Sequence, residues 1–258
     1  MPVHLRTAGH VADVTLDAPD KLNAISVAMW RELTRIFREL ARDDTVRCIL
    51  VRGAGGNFAA GADITEFATV RFDQTSAKHF HLEIIGAAID AIRTVPQPVI
   101  AAIEGFCVGG GLEIAVACDL RIATDDAQIG APVGKVGFPF ALPELLPLLA
   151  LVGPGVAADL LLAGRVFSGS EAQVAGLVQR AVPRDDHARV IEATTSAIVT
   201  GSPVAARQNK AQIRSLMEGG LAYTQAQLEA SFGFIDSDDY REGIAAFLAK
   251  RPPRFAGK

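Results

Sequence analysis

The sequence predicts an α/β core followed by a mostly helical C-terminal region. Short apolar runs of strand character alternate with segments of helical period through the first two thirds. From about Asp185 onward the pattern is almost wholly helical. Half of the 258 residues are hydrophobic and only 6% are aromatic, so a sizeable core is built mainly from Ala, Val, Leu and Ile, and the composition excludes a disordered chain.

In chain order, residues 11–17 (VADVTLD) alternate apolar and polar side chains, as a half-buried strand does. The turn APDKLNAI follows, and Ser26 is suited to cap a helix in which Trp30, Leu33, Phe37 and Leu40 form one apolar face. Residues 47–53 (RCILVRG) read as a short buried strand ended by the turn-rich GAGGNF. A second helix is expected over residues 74–93, stopped at VPQP because proline cannot continue it. Residues 98–104 (PVIAAIE) form the next buried strand, and a helix over residues 111–117 follows GFCVGGG. Further strands are expected at 119–123, 128–130 and 177–182. No repeat, low-complexity tract or flexible linker interrupts this order.

The bulk properties narrow the partners. A formal charge of −4 and a pI near 5.8 give no electrostatic reason for a nucleic-acid or anionic-membrane partner. Arg31, Arg35, Arg38 and Arg42 recur on the first helix, but Glu32, Glu39, Asp43 and Asp44 are interleaved, which describes a solvated, ion-paired face. Cys48, Cys107 and Cys118 each lie in an apolar run at unpatterned spacing, so they read as core residues under reducing conditions. The N-terminal MPVHLRTAGH has neither signal-peptide nor transit character, and apolar stretches are broken by Gly, Pro or charge before a membrane span's length. A cytoplasmic location without membrane attachment is expected.

Two glycine-rich segments carry the chemistry: Asn57-Phe58-Ala59-Ala60-Gly61-Ala62-Asp63, and Gly105-Phe106-Cys107-Val108-Gly109-Gly110-Gly111-Leu112-Glu113. Each follows a buried strand and precedes a helix. From spacing alone they are either tight turns or places where unpaired amides approach a ligand. Neither fits GxGxxG, and no Gly-Lys-Ser/Thr follows, so the familiar phosphate loops are excluded. His79 and His81, two apart on a helix, face different ways and read as isolated surface or partly buried residues rather than a metal pair. Ser26 and Ser168 have no adjacent base, and Cys107 has no evident activating partner.

NFAAGADITEF and EGFCVGGGLEIAVACDLRIA, in this order and with DKLNAI and LLLAGRVFSGSEAQVAGLV flanking them, resemble the signatures of the crotonase (enoyl-CoA hydratase/isomerase) superfamily. The similarity runs from about Val11 into the helical end. It implies a spiral of ββα units as a CoA-binding catalytic core over residues 1–190, with a helical oligomerisation arm over 191–258. It further implies a homotrimer or homohexamer, an acyl-CoA substrate, and no cofactor besides the coenzyme A carried by that substrate. By position, the amides of Ala62 and Gly110 would hold the thioester oxygen, and Ala60, Ala62, Asp63, Ile64 and Thr65 would line the CoA cleft.

Glu113 matches one of the two catalytic glutamates of the hydratases and would handle the water; read alone, it is equally a carboxylate favoured at a helix start. The second glutamate of the hydratases would fall at Val133, in Gly130-Ala131-Pro132-Val133, and valine can neither give nor take a proton. Glu144, in GFPFALPELL, is close by and reads as a surface residue. Enoyl-CoA hydration is the reaction the resemblance favours. Double-bond isomerisation, thioester hydrolysis and decarboxylation stay open beside it, as do RNA binding and CoA binding without catalysis. Residues 68–76 and 138–147 are expected to shape the acyl pocket.

Overall fold

The structure, a computed structural model, describes residues 2–258. Strands β1 (Val3–Ala8), β2 (Val11–Leu16), β3 (Cys48–Gly53), β4 (Val99–Ile103), β6 (Leu120–Thr124) and β9 (Arg180–Val182) form one sheet, with β5 (Phe106–Val108) intervening in the chain between β4 and β6. Neighbours in this sheet run β1-β2-β3-β4-β6-β9, antiparallel at β1-β2 and parallel elsewhere. A smaller sheet joins β5, β7 (Gln128–Gly130) and β8 (Val166–Ser168). The expected strands are present. β1, β5 and β8 were not foreseen: the last two are three residues long, and all three take their order from pairing rather than from a periodic run.

The central parallel strands β3, β4 and β6 are largely buried on both faces, as parallel strands require. Ile49 and Val51 of β3 point into the main core, while Cys48 and Leu50 join Ile100, Ala102, Ile122 and Ile191 in a second cluster on the other face. Helix α1 (Val27–Leu40) closes the main core with Met29, Trp30, Leu33, Ile36, Phe37 and Leu40. Burying each large side chain contributes about 1.5–3 kcal/mol before entropy is set against it. Ser26 caps α1 as expected, its Oγ accepting from the Met29 amide at 3.3 Å. Arg35 on the solvent side is paired with both Glu32 and Glu39.

After the single turn α2 (Phe67–Val70), the second helix starts at the foreseen residue and has three parts: α3 (Gln74–His79), a π turn over Phe80–Ile85, and α4 (Gly86–Thr94). Helix α5 (Gly110–Ala117) follows the second glycine-rich segment. Residues 142–161, expected to be pocket-shaping loop at their start, are helical instead as α6 (Leu142–Leu161). That helix is long and apolar enough by length and composition to cross a membrane, but Gly153 breaks it with φ 70° and ψ 175°, so neither part has the ~20 continuous residues of a span.

Beyond α7 (Gly169–Val174), helices α8 (Arg184–Thr200), α9 (Pro203–Glu218), α10 (Gln225–Ala230) and α11 (Asp238–Leu248) make up the helical end. Residue 190 lies inside α8, whose Ile191 packs in the second cluster against the sheet. Lys210 of α9 ties this region to the core by pairing with Asp119 at 2.7 Å. Arg47 holds the C-terminal tail by donating to the Phe255 carbonyl at 2.7 Å.

Candidate active site

The two glycine-rich segments lie side by side. Ala59 donates to the Phe106 carbonyl and accepts from the Val108 amide, at 2.8 and 2.9 Å, and Ala59 bridges to Cys107. The start of α5 presses against the same strand: a Cβ on Gly111 would stand 2.5 Å from the Ala59 carbonyl oxygen, so only glycine fits. At Gly109, φ of 54° and ψ of −116° turn the chain into the helix, a conformation that L side chains rarely adopt.

The turn DKLNAI holds the first segment from the other side. Asn23 sits at φ 58°, donating to the carbonyls of Ala54 and Asn57 and accepting from the Ala18 amide. Ile25 pairs with Ala62, and Glu66 accepts from the Val27 amide at 2.7 Å. Each of these contacts thus fixes a backbone position.

These contacts bring the Ala62 amide within 3.5 Å of the place where a Gly110 Cβ would be. Among the described residues, neither the Ala62 nor the Gly110 amide donates a hydrogen bond. Two free N–H groups, one of them at a helix start, therefore flank a cavity of about 190 Å³. Ala60, Ala62, Ile64, Gly110, Glu113 and Val133 all line it. Asp63 and Thr65 do not. The Asp63 carboxylate is turned to Lys21 at 2.7 Å and to the Thr65 hydroxyl at 2.6 Å, and these bonds hold its pKa below the usual range.

Glu113 stands in the first turn of α5 with Oε2 sealed from solvent and without a hydrogen-bond partner among the described residues. Burial, with the nearby Glu144 as the second cause, pushes its carboxyl well above the ordinary value of 4.5. An unpartnered buried carboxyl is costly, and such groups cluster where a ligand completes them.

Glu144 is not a surface residue. It lies in the first turn of α6 with only 4% of its side chain exposed, and it lines the same cavity as Glu113. Residues 139–143, which carry the prolines, turn this carboxylate inward, and no local pattern announces that direction. His81 is likewise a cavity residue, with Nδ1 2.5 Å from Glu144 Oε1. The π turn at Phe80–Ile85 sets the ring's direction, which regular helical spacing does not anticipate. Arg71 also lines the cavity, its guanidinium 4.5 and 4.2 Å from the ring centres of Phe67 and Phe138. Desolvation lowers the Arg71 pKa and Glu144 opposes the shift.

Cys107 beside the site is fully buried, and burial pushes its thiol far up, which agrees with a packing residue. Ser26 and Ser168 serve as helix caps. Among the described residues no cluster of His, Cys, Asp and Glu is arranged to hold a metal ion.

A cavity flanked by two unpaired backbone amides and by Glu113, carried on an α/β frame with a helical C-terminal end, is the arrangement that the crotonase resemblance implies. The comparisons agree. The family model described as enoyl-CoA hydratase/isomerase matches residues 6–258. The chain is 36% identical over 249 residues to the probable enoyl-CoA hydratase echA8 of Mycobacterium bovis, covering 95% of this chain and 94% of that protein. A solved enoyl-CoA hydratase/carnithine racemase from Magnetospirillum magneticum superposes with a TM-score of 0.97 at 40% identity, covering 100% of this chain and 96% of that one. A putative enoyl-CoA hydratase/isomerase family protein from Hyphomonas neptunium gives 0.93 at 38% identity, covering 100% and 98%. This chain belongs to the enoyl-CoA hydratase/isomerase family of the crotonase superfamily.

Proposed function

We propose that this protein binds a short acyl-CoA thioester and adds water across the 2,3-double bond of its enoyl form, as a lyase. The observation that carries this reading is the Glu113 carboxyl, its Oε2 buried and unpartnered, in the same small cavity as the unengaged Ala62 and Gly110 amides. Thioester enolisation concentrates negative charge on one oxygen, and two preorganised amides in a dry cleft stabilise that charge more than they stabilise the ground state. The α5 dipole acts in the same direction.

Glu113 is the proton-transfer group at the carbon next to the thioester. Its place on the cavity beside the Ala62 and Gly110 amides suits delivery of a proton to C2, where the family resemblance gave it the handling of water. Ala60 and Ile64 border the acyl end of the CoA path, with Asp63 and Thr65 shaping the backbone of that segment from outside the cavity. Coenzyme A enters as part of the substrate. Isomerisation of a 3-enoyl-CoA is the second reading, favoured by Val133, because it needs one carboxyl where hydration needs two proton-transfer groups.

The same reading makes the helical end an oligomerisation arm of a homotrimer or homohexamer. Ile213, Met217, Phe232, Ile244 and Phe247 are exposed there, which supports burial against another copy. The test is a mass-spectrometric product assay with crotonyl-CoA and 3-butenoyl-CoA, native against Glu113→Gln. Native protein is expected to form 3-hydroxybutyryl-CoA, and the variant to bind crotonyl-CoA while losing about a hundredfold to ten-thousandfold in rate. Equal rates for the two proteins would remove Glu113 from the chemistry.

A further inference from the structure

Val133 lines the cavity but cannot move a proton, and hydration needs a second group that can. On the same cavity, Glu144 and His81 form a hydrogen-bonded pair from elements 63 residues apart in sequence. Both Glu144 oxygens are engaged: Oε1 meets His81 Nδ1, and Oε2 accepts from the Ala141 amide at 3.2 Å. One bond on each oxygen fixes the direction of this carboxylate, and with it the orientation of the imidazole it meets.

Against an ionised Glu144 the Nδ1 carries the hydrogen, and in the neutral form of the ring Nε2 is then the nitrogen with the lone pair. Nε2 has no partner among the described residues, and the side chain keeps 15% of its surface open while lining the cavity. The ring is steadied by Phe80, edge-on at 5.4 Å between centroids. Its place in the chain is the first turn of the π segment, where the Gly86 amide donates to the His81 carbonyl five residues back. Such turns re-aim side chains and recur at functional sites.

We propose that His81, oriented by Glu144, is the second catalytic residue of this site and the base that activates the attacking water. This rests on the hydration reading above. Nε2 takes one proton from water as the water oxygen bonds to C3. The C2–C3 π electrons move to the thioester oxygen, held by the Ala62 and Gly110 amides. As the carbonyl re-forms, C2 takes the proton of Glu113. The imidazolium is stabilised by Glu144, and its extra proton returns to Glu113 through solvent when product leaves. One water is added and no other reactant is needed. Glu144 is a positioning residue in this scheme.

The test separates the two carbons. Hydration of crotonyl-CoA reports on C3 and C2 together, whereas exchange of the C2 protons of butyryl-CoA in deuterium oxide, followed by NMR, needs only the enolate and Glu113. His81→Gln is expected to lose about a hundredfold or more in hydration kcat, with C2 exchange within threefold of native. His81→Ala should regain part of its hydration rate on addition of free imidazole, which a merely structural role would not produce. Glu144→Gln should lower kcat with little change in KM, by less than His81→Gln does. If His81→Gln hydrates within threefold of native, or His81→Ala gains nothing from imidazole, the assignment is overturned. Native protein that exchanges C2 protons but does not hydrate crotonyl-CoA overturns it too. Native protein that does neither removes the proposed function itself, which distinguishes the two failures.

Discussion

The two walls of the cavity are built in different ways. The wall carrying Ala62 and Gly110 is backbone: adjacent loops clamped by Asn23, by the Ala59–Phe106 bonds and by the closeness of Gly111 to Ala59. The wall carrying Arg71, His81 and Glu144 is side chain, assembled from three elements whose order gives no hint that they meet. The backbone wall leaves little room for added side-chain atoms, and in the proposed function its two free amides would serve any thioester. A side-chain wall can be exchanged residue by residue, so in the proposed function it is the wall that would select the reaction and the acyl group.

The backbone wall should give the largest effects. Gly110→Pro removes one of the two donors and is expected to cost about a hundredfold to a thousandfold in turnover of crotonyl-CoA. Gly110→Ala keeps the amide while placing a Cβ 3.1 Å from the Trp30 ring, so it controls for crowding and should lose far less. Equal losses would mean that shape, not the N–H, is what Gly110 supplies. Next in size is Gly111→Val, whose Cβ would have to displace the Ala59 carbonyl. Overpacking of this kind costs about 1–3 kcal/mol, read as a lowered urea midpoint, and an unchanged midpoint would show that the two loops are not clamped as described.

On the side-chain wall, Val133→Glu would add a third carboxyl beside Glu113 and Glu144. With His81 and Glu144 in the proposed second role, hydration should not rise, and a gain of tenfold or more would show that the site was short of a carboxylate. The smallest expected effect is on stability. Glu113 has its pKa raised in the folded state, so its stabilising contribution is complete below the ordinary value of 4.5 and is lost as pH rises toward the folded value. Glu113→Gln removes that loss. Its Tm should rise relative to native as pH goes from 4.5 to 8, with the groups facing it (Glu144, His81 and Arg71) unchanged. A gap independent of pH would mean that Glu113 titrates normally.

Legibility in the sequence follows the same division. Ser26, the strand at 11–17, the glycine-rich segments and the position of Glu113 are local: a cap, an alternation or a glycine requirement reveals each one. Ala60, Ala62, Ile64, Gly110, Glu113 and Val133 do come together at one cavity. Glu144 was misread as a surface residue, and His81, partly buried as one reading had it, was missed as the partner of Glu144, because how α6 and the π turn pack is not written in neighbouring residues. Asp63 fell within the right motif, yet Lys21 and Thr65 claim its carboxylate. β5 and β8, at three residues each, exist only by pairing with β7.

The central claim, that the Ala62 and Gly110 amides hold the thioester oxygen, is tested most directly by infrared difference spectroscopy of crotonyl-CoA carrying carbon-13 at its carbonyl. Glu113→Gln, expected to bind crotonyl-CoA with turnover slowed about a hundredfold to ten-thousandfold, provides the complex. The bound carbonyl stretch should lie at lower frequency than in free crotonyl-CoA, and adding Gly110→Pro to Glu113→Gln should return it most of the way toward the free value. A bound carbonyl that absorbs at its solution frequency in the Glu113→Gln complex would contradict the account.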